Sequence, residues 1–141
     1  IVVFENVEGL LSYEGGTVYK EILLLFSELG YKCKGKLLNV SDYGVPQRRK
    51  RVIIICVRSD LGIEPEILYP EAITTFEATK TTAYEAIGDL ESVECTPEAK
   101  YSYENESIYV KALKGKISIE EYLNNCKKKS SNPEYLQPSL F

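Results

Sequence analysis

Hydrophobic and polar positions follow two regimes along this chain. Residues 1–60 carry dense apolar runs; beyond Arg58 these thin out, and Pro, Tyr and acidic residues take over. Ile1 to Glu5 is apolar up to its last residue, which predicts a strand with apolar side chains on both faces, as in a covered parallel sheet. Gly9 and Gly15-Gly16 mark a loop. Thr17 stands where a helix cap belongs, with Lys20 at the third helical position, so no capping box forms. Val18, Ile22, Leu25, Phe26 and Leu29 recur at helical spacing and define one apolar face. Gly30 is a stop signal. Tyr31 to Leu38 alternates as a strand, Asp42-Tyr43-Gly44 signals a turn, and Pro46, lacking an amide proton, belongs to a loop. Arg51 to Val57 is the strongest strand signal, a β-branched run that predicts burial on both faces.

Residues 1–60 thus read as strand, helix, strand, loop, strand. The first three make a βαβ crossover of right-handed sense, and the short loop before the last strand favours an antiparallel return. Further on, Pro65 and Pro70 punctuate a loop. Thr81 or Thr82 starts a short helix carrying Tyr84, Ala86 and Ile87, ended near Gly88. Residues 91–109 are acidic, Tyr-rich and expected to be loosely structured. Ile117 to Cys126 predicts another helix, with Ser118 as N-cap and Glu121 in capping-box position. Lys127-Lys128-Lys129 suits its C-terminal end, and Ser130 to Phe141 reads as a tail. No internal repeat occurs. The expected class is α/β, with residues 1–60 as the sheet-bearing part and 61–141 as a linker and helical extension.

A length of 141 residues suffices for one domain with a core. No apolar run reaches the ~18 residues of a membrane span. No basic segment precedes the first strand, so no secretory leader is expected. The chain has no Met and opens within a strand, which reads as a piece of a longer protein. Cys33, Cys56, Cys95 and Cys126 form no C-x-x-C pair, and there is no His, so no metal site is expected and Ser-His or Cys-His catalysis within the chain is excluded. The four cysteines read as reduced thiols of a cytoplasmic protein.

The net charge of −4 is uneven. Residues 1–60 hold nine Lys/Arg and seven Asp/Glu; residues 61–141 hold eight and fourteen. A DNA-facing surface would therefore lie in the first part, around Arg48, Arg49, Lys50 and Arg51, although such a run also suits a solvated turn.

Glu5 closes a buried strand at its carboxyl end, where ligands bind in open α/β sheets. A partly desolvated carboxylate there can share a proton with a ring nitrogen; equally, it can cap the next turn or meet solvent. Gln47-x-Arg49-x-Arg51 puts alternate side chains on one face of an extended segment, where two guanidiniums can hold a phosphate and a carbonyl oxygen. Charge protecting an exposed edge strand gives the same pattern.

The order and spacing of these motifs resemble the C5-cytosine-specific DNA methyltransferase family. The matching residues are Glu5-Asn6-Val7, Gly9-Leu10, Leu29-Gly30-Tyr31, Leu38-Asn39, Asp42-Tyr43-Gly44-Val45-Pro46-Gln47, Arg49 and Arg51-Val52, with a weaker match at Ala86-Ile87-Gly88-Asp89-Leu90. Val40 departs from the small residue usual after Asn39.

The resemblance implies the later part of a Rossmann-like, S-adenosylmethionine-dependent methyltransferase sheet. It implies duplex DNA as partner and a target cytosine flipped out of the duplex. A cysteine adds to ring carbon 6, and carbon 5 then takes the methyl group. Glu5 would meet ring N3 and the exocyclic amine, Arg51 the cytosine O2, and Arg49 the adjacent phosphate or the base. Asn6 would fix the loop backbone, Gln47 would help place the catalytic loop, and Arg48 would face DNA.

This chain has no Phe-x-Gly-x-Gly loop and no Pro-Cys dipeptide, so no cofactor-binding residue or nucleophile is assigned and the chain alone is expected to be inactive. A bacterial or phage enzyme of a restriction–modification system fits this pattern. A tRNA cytosine methyltransferase, which shares the motifs, and a non-catalytic DNA-binding subunit remain open alternatives. An uncovered sheet edge would favour self-association of the isolated chain.

Overall fold

The computed structural model describes residues 1–74, 76–91, 93, 96 and 106–132. Two compact units are formed: one from Ile1–Val40 and Arg49–Glu71, the other from Ser41–Arg48 and Ala72–Phe141.

The first unit is a three-stranded sheet with one α-helix and short 3-10 turns. Strands β1 (Val2–Val7), β2 (Tyr31–Asn39) and β3 (Lys50–Arg58) lie in the order β1-β3-β2, and β3 is antiparallel to both neighbours. The antiparallel return into β3 is as expected, but β1 does not sit in a parallel sheet. β1 and β2 run the same way with β3 between them, so the crossover skips one strand. β3 carries the continuous apolar run and takes the centre, where Val52, Ile54, Cys56 and Val57 are wholly buried. β1 is an edge. Its burial alternates, and Val3 remains 64% exposed, so the expectation of two covered faces fails.

Helix α1 (Thr17–Glu28) covers the face made by Val2 and Phe4 of β1 and Val52, Ile54 and Cys56 of β3. Its contacting side chains are Val18, Tyr19, Ile22, Leu23 and Phe26, while Leu25 and Leu29 of the expected face point to solvent, Leu29 at 72% exposure. Gly16, not Thr17, is the N-cap; the Thr17 hydroxyl instead donates to the Glu14 carbonyl at 2.8 Å. Gly30 ends the helix as expected, its amide donating to the Ser27 carbonyl. Tyr69, with Ile63, covers the other sheet face over Ile55 and Val57.

Cys33 and Cys56 lie opposite each other in the β2–β3 register and are joined by a disulfide. The reading of both as reduced thiols is thereby corrected: adjacent strands bring together two residues whose sequence separation of 23 gave no sign of pairing. Cys126 is free and buried; Cys95 lies outside the described residues.

The second unit holds α2 (Ala83–Ile87), α3 (Ile108–Leu113) and α4 (Ile119–Ser131). Thr82 caps α2 in a full capping box with Glu85. Ser118 caps α4 by accepting from the Glu121 amide at 3.0 Å. α4 runs on through Ser130 and Ser131, so the expected tail begins later; residues 133–141 lie outside the described ones. α3 begins within the stretch read as loose, started by Ser107, whose side chain accepts from the Val110 amide; residues 92, 94, 95 and 97–105 of that stretch lie outside the described ones. Segment 41–48 is held in this unit by backbone. The amides of Ile73 and Thr74 donate to the Asp42 carbonyl at 2.9 and 3.1 Å, and the Tyr122 hydroxyl donates to the Gly44 carbonyl.

Candidate functional site

β1 and β3 pair so that Val7 faces Arg51 and Glu5 faces Ile53. Directly opposed residues share a sheet face, and diagonal neighbours lie within reach of long side chains. Glu5 and Arg51 are such a diagonal pair on the face opposite α1. Arg51 Nε lies 2.8 Å from Glu5 Oε1, and Arg51 Nη1 donates to the Lys50 carbonyl at 2.8 Å. The Arg51 side chain is 20% exposed and the Glu5 side chain 55%. Glu5 is therefore more exposed than expected of a residue closing a covered strand. Beside this pair, Lys50 Nζ lies 3.7 Å from Glu8 Oε1, both well exposed.

The remaining expected residues lie elsewhere. Asn6 is on the α1 side of β1, half-buried, and its Oδ1 accepts from the Val7 amide at 2.8 Å. The Arg49 carbonyl accepts from the Val40 amide at 2.9 Å, closing the β2–β3 connection, while its side chain is exposed and, among the described residues, makes no ion pair. β3 begins at Lys50, so Gln47, Arg48 and Arg49 precede the strand.

Gln47 and Arg48 belong to the second unit. There they line a cleft of about 280 Å³ with Pro46, Glu77, Lys80 and Thr82. Arg48 pairs with Glu77, whose other oxygen is 3.2 Å from Lys80, and Lys80 lies 2.9 Å from Asp42. The Lys80 and Arg48 cations hold the Glu77 carboxyl below its ordinary range, and the Asp42 carboxylate raises the Lys80 ammonium. Sequence reading missed Asp42, Glu77 and Lys80 as a network, since nothing in their spacing joins residues so far apart.

Among the described residues no group of three or more His, Cys, Asp or Glu is placed to hold a metal ion, and no helix is long and apolar enough to cross a membrane.

A carboxylate and a guanidinium side by side on an open sheet face can meet a planar heterocycle that offers an acceptor oxygen beside a ring nitrogen and an amine. The family model of C-5 cytosine-specific DNA methylase matches residues 1–140. The chain belongs to this family. Its relatives include the type II methyltransferase M.BspRI of Lysinibacillus sphaericus, 45% identical over 93 residues, which are 64% of this chain and 22% of that protein. M.XorII of Xanthomonas oryzae pv. oryzae is 37% identical over 122 residues, 81% of this chain and 27% of that one. M.HhaI of Haemophilus parahaemolyticus is 39% identical over 64 residues, 45% and 20% respectively. The chain thus spans about a quarter or less of these relatives.

Methylases of this family have a Rossmann-like α/β fold, and the β1–α1–β2–β3 unit is consistent with one. The loop between β1 and α1 folds onto itself, and a Cβ on Gly16 would lie 3.0 Å from the Leu11 carbonyl oxygen. That glycine serves close packing of its own loop.

Proposed function

We propose that this chain is the cytosine-clamping part of a DNA (cytosine-5-)-methyltransferase, formed by the later strands of its Rossmann-like sheet. The observation that carries this reading is the Glu5–Arg51 pair on one sheet face. Glu5 accepts from the exocyclic amine and shares a proton with ring N3, which makes the ring more electrophilic at carbon 6. Arg51 donates to O2. Bringing the carboxylate and guanidinium together before the base arrives lowers the ordering cost of binding.

Arg49, exposed and unpaired among the described residues, meets a backbone phosphate of duplex DNA, as does Arg48 once it leaves Glu77. Asn6 holds the end of β1 through the Val7 amide, and Gln47 supports the catalytic loop. The nucleophilic cysteine and the S-adenosylmethionine site belong to other parts of the parent protein, so the chain alone does not methylate DNA. The type II designation of the relatives supports a restriction–modification setting.

The experiment compares the parent protein with its Glu5→Gln and Arg51→Lys variants on duplex DNA and on tRNA, reading labelled methyl transfer. Loss of DNA methylation with retained DNA binding supports the clamp. Unchanged methylation in both variants, or methylation of tRNA alone, overturns it.

A further inference from the structure

Cys33 and Cys56, joined across β2 and β3, have different surroundings. Cys56 is wholly buried beneath α1. Cys33, on the edge strand, is half-buried and lines a cleft of about 530 Å³ together with Leu23, Ser27, Tyr31 and Pro65. Of the two linked residues, Cys33 therefore lines a space open to a small molecule and Cys56 does not. The bond also closes a stretch of chain, with a sequence separation of 23, that contains Gln47, Arg49 and Arg51.

We propose that Cys33 is a thiol-exchange site, at which a low-molecular-weight thiol or disulfide of the glutathione class breaks or makes the Cys33–Cys56 link. In the reducing direction a thiolate enters the cleft and attacks Cys33 Sγ. A sulfur–sulfur bond forms to Cys33, the bond to Cys56 breaks, and the electron pair leaves on Cys56 Sγ, which takes a proton. A second thiolate attacks the small molecule's sulfur in this mixed disulfide and releases Cys33 as its thiolate, which is protonated. Two small thiols are oxidised to one disulfide and the protein gains two thiols; oxidation runs the same steps backwards. Exchange depends on access to the attacked sulfur, so the mixed disulfide forms at Cys33 and not at Cys56. When oxidised, the link stops edge strand β2 from leaving β3. This inference does not depend on the methyl-transfer reading.

The test equilibrates the 141-residue chain in glutathione buffers from reducing to oxidising, quenches with acid, alkylates in denaturant and maps the peptides by mass spectrometry. Cys33 and Cys56 are expected to pass together from alkylated to linked. At intermediate poise, glutathione is expected on Cys33 at least tenfold more often than on Cys56. The Cys56→Ser chain should collect glutathione on Cys33, and the Cys33→Ser chain should leave Cys56 bare. Should either variant fail to fold by circular dichroism, the intermediate-poise measurement on the unaltered chain decides. Both cysteines alkylated in every buffer, both linked in every buffer, or glutathione on Cys56 as readily as on Cys33 would overturn the proposal.

Discussion

The hydroxyl of Tyr69 lies 2.6 Å from the carbonyl of Lys34 and 2.7 Å from that of Ile53, so one side chain ties β2 to β3. Its single proton serves one carbonyl at a time. The ring is buried over Ile55 and Val57, and desolvation pushes the phenol above its ordinary range. Tyr69→Phe keeps the ring and loses the bond, which should cost about 1 kcal/mol. Tyr69→Ala also opens a cavity and should cost about 3–5 kcal/mol, by analogy with other aromatic truncations. Urea titration of the chain checks both values, and a larger loss for Phe than for Ala would contradict this account.

For the proposed clamp, chemistry and stability should separate. An ion pair this exposed contributes under about 1 kcal/mol to folding. Proton sharing by Glu5, in contrast, accounts for roughly 10²–10⁴ in rate if it acts as a general acid. Glu5→Gln in the parent enzyme should therefore cut kcat by orders of magnitude while its melting temperature stays nearly constant. Parallel kinetic and thermal-melt measurements read this out.

Gly44 tests the packing of segment 41–48. Its φ of +79° lies in the left-handed region, and a Cβ there would come within 3.1 Å of Ile73 Cδ1 and 3.2 Å of Tyr122. Gly44→Ala combines backbone strain with crowding, and should destabilise by about 1–3 kcal/mol. Ser118→Ala, which removes only the α4 cap, should cost about 1 kcal/mol. Denaturant midpoints for the two variants compare these effects.

A pH dependence follows from Glu85. Partial burial raises its carboxyl, but the Lys129 ammonium, 2.6 Å away, and the Thr82 bonds outweigh that and hold it below its ordinary range. A depressed folded-state value means that this stability is fully present above the unfolded carboxylate range near ~4.3. It is lost as pH falls through the folded value. The unaltered chain should lose stability on acidification more steeply than Glu85→Gln, a difference that melting temperatures from neutral to acidic pH would show.

The β1 edge makes a further expectation. Ile1, Val3 and Val7 are exposed on an outer strand whose outward edge pairs with no strand among the described residues. Unprotected edges pair with other chains. Sedimentation of the isolated chain should show concentration-dependent association, reduced by Val3→Lys. A monomer at every concentration would contradict it.

What the sequence made legible depended on how many readings each pattern allowed. β3 was plain because Val52-Ile53-Ile54-Ile55 suits only a buried strand, and α4 and α2 were announced by Ser118 and Thr82 at their caps. The phase of α1 was not, since Leu23-Leu24-Leu25-Phe26 supplies apolar residues to several faces and only packing on the sheet selects Tyr19 and Leu23. β1 misled for the same reason: Val2, Val3 and Phe4 are all apolar, so nothing in that run marks Val3 as the exposed one. α3 was overlooked although Ser107 carried a cap signal, because the surrounding Tyr-rich acidic residues masked it. Glu5 and Arg51 were named by their motifs, but their diagonal contact and the Cys33–Cys56 link both follow from strand register, which spacing along the chain does not encode.

The two units interleave along the chain, with Ser41–Arg48 of the second set between strands of the first. No single cut separates them. Shortening the chain after Glu71 would retain all three strands, yet it would remove the Ile73 and Thr74 amides that hold Asp42, along with Tyr122 over Gly44. Anyone trimming this protein for crystallisation or display should therefore replace residues 41–48 with a short turn in the same step, or keep everything through α4.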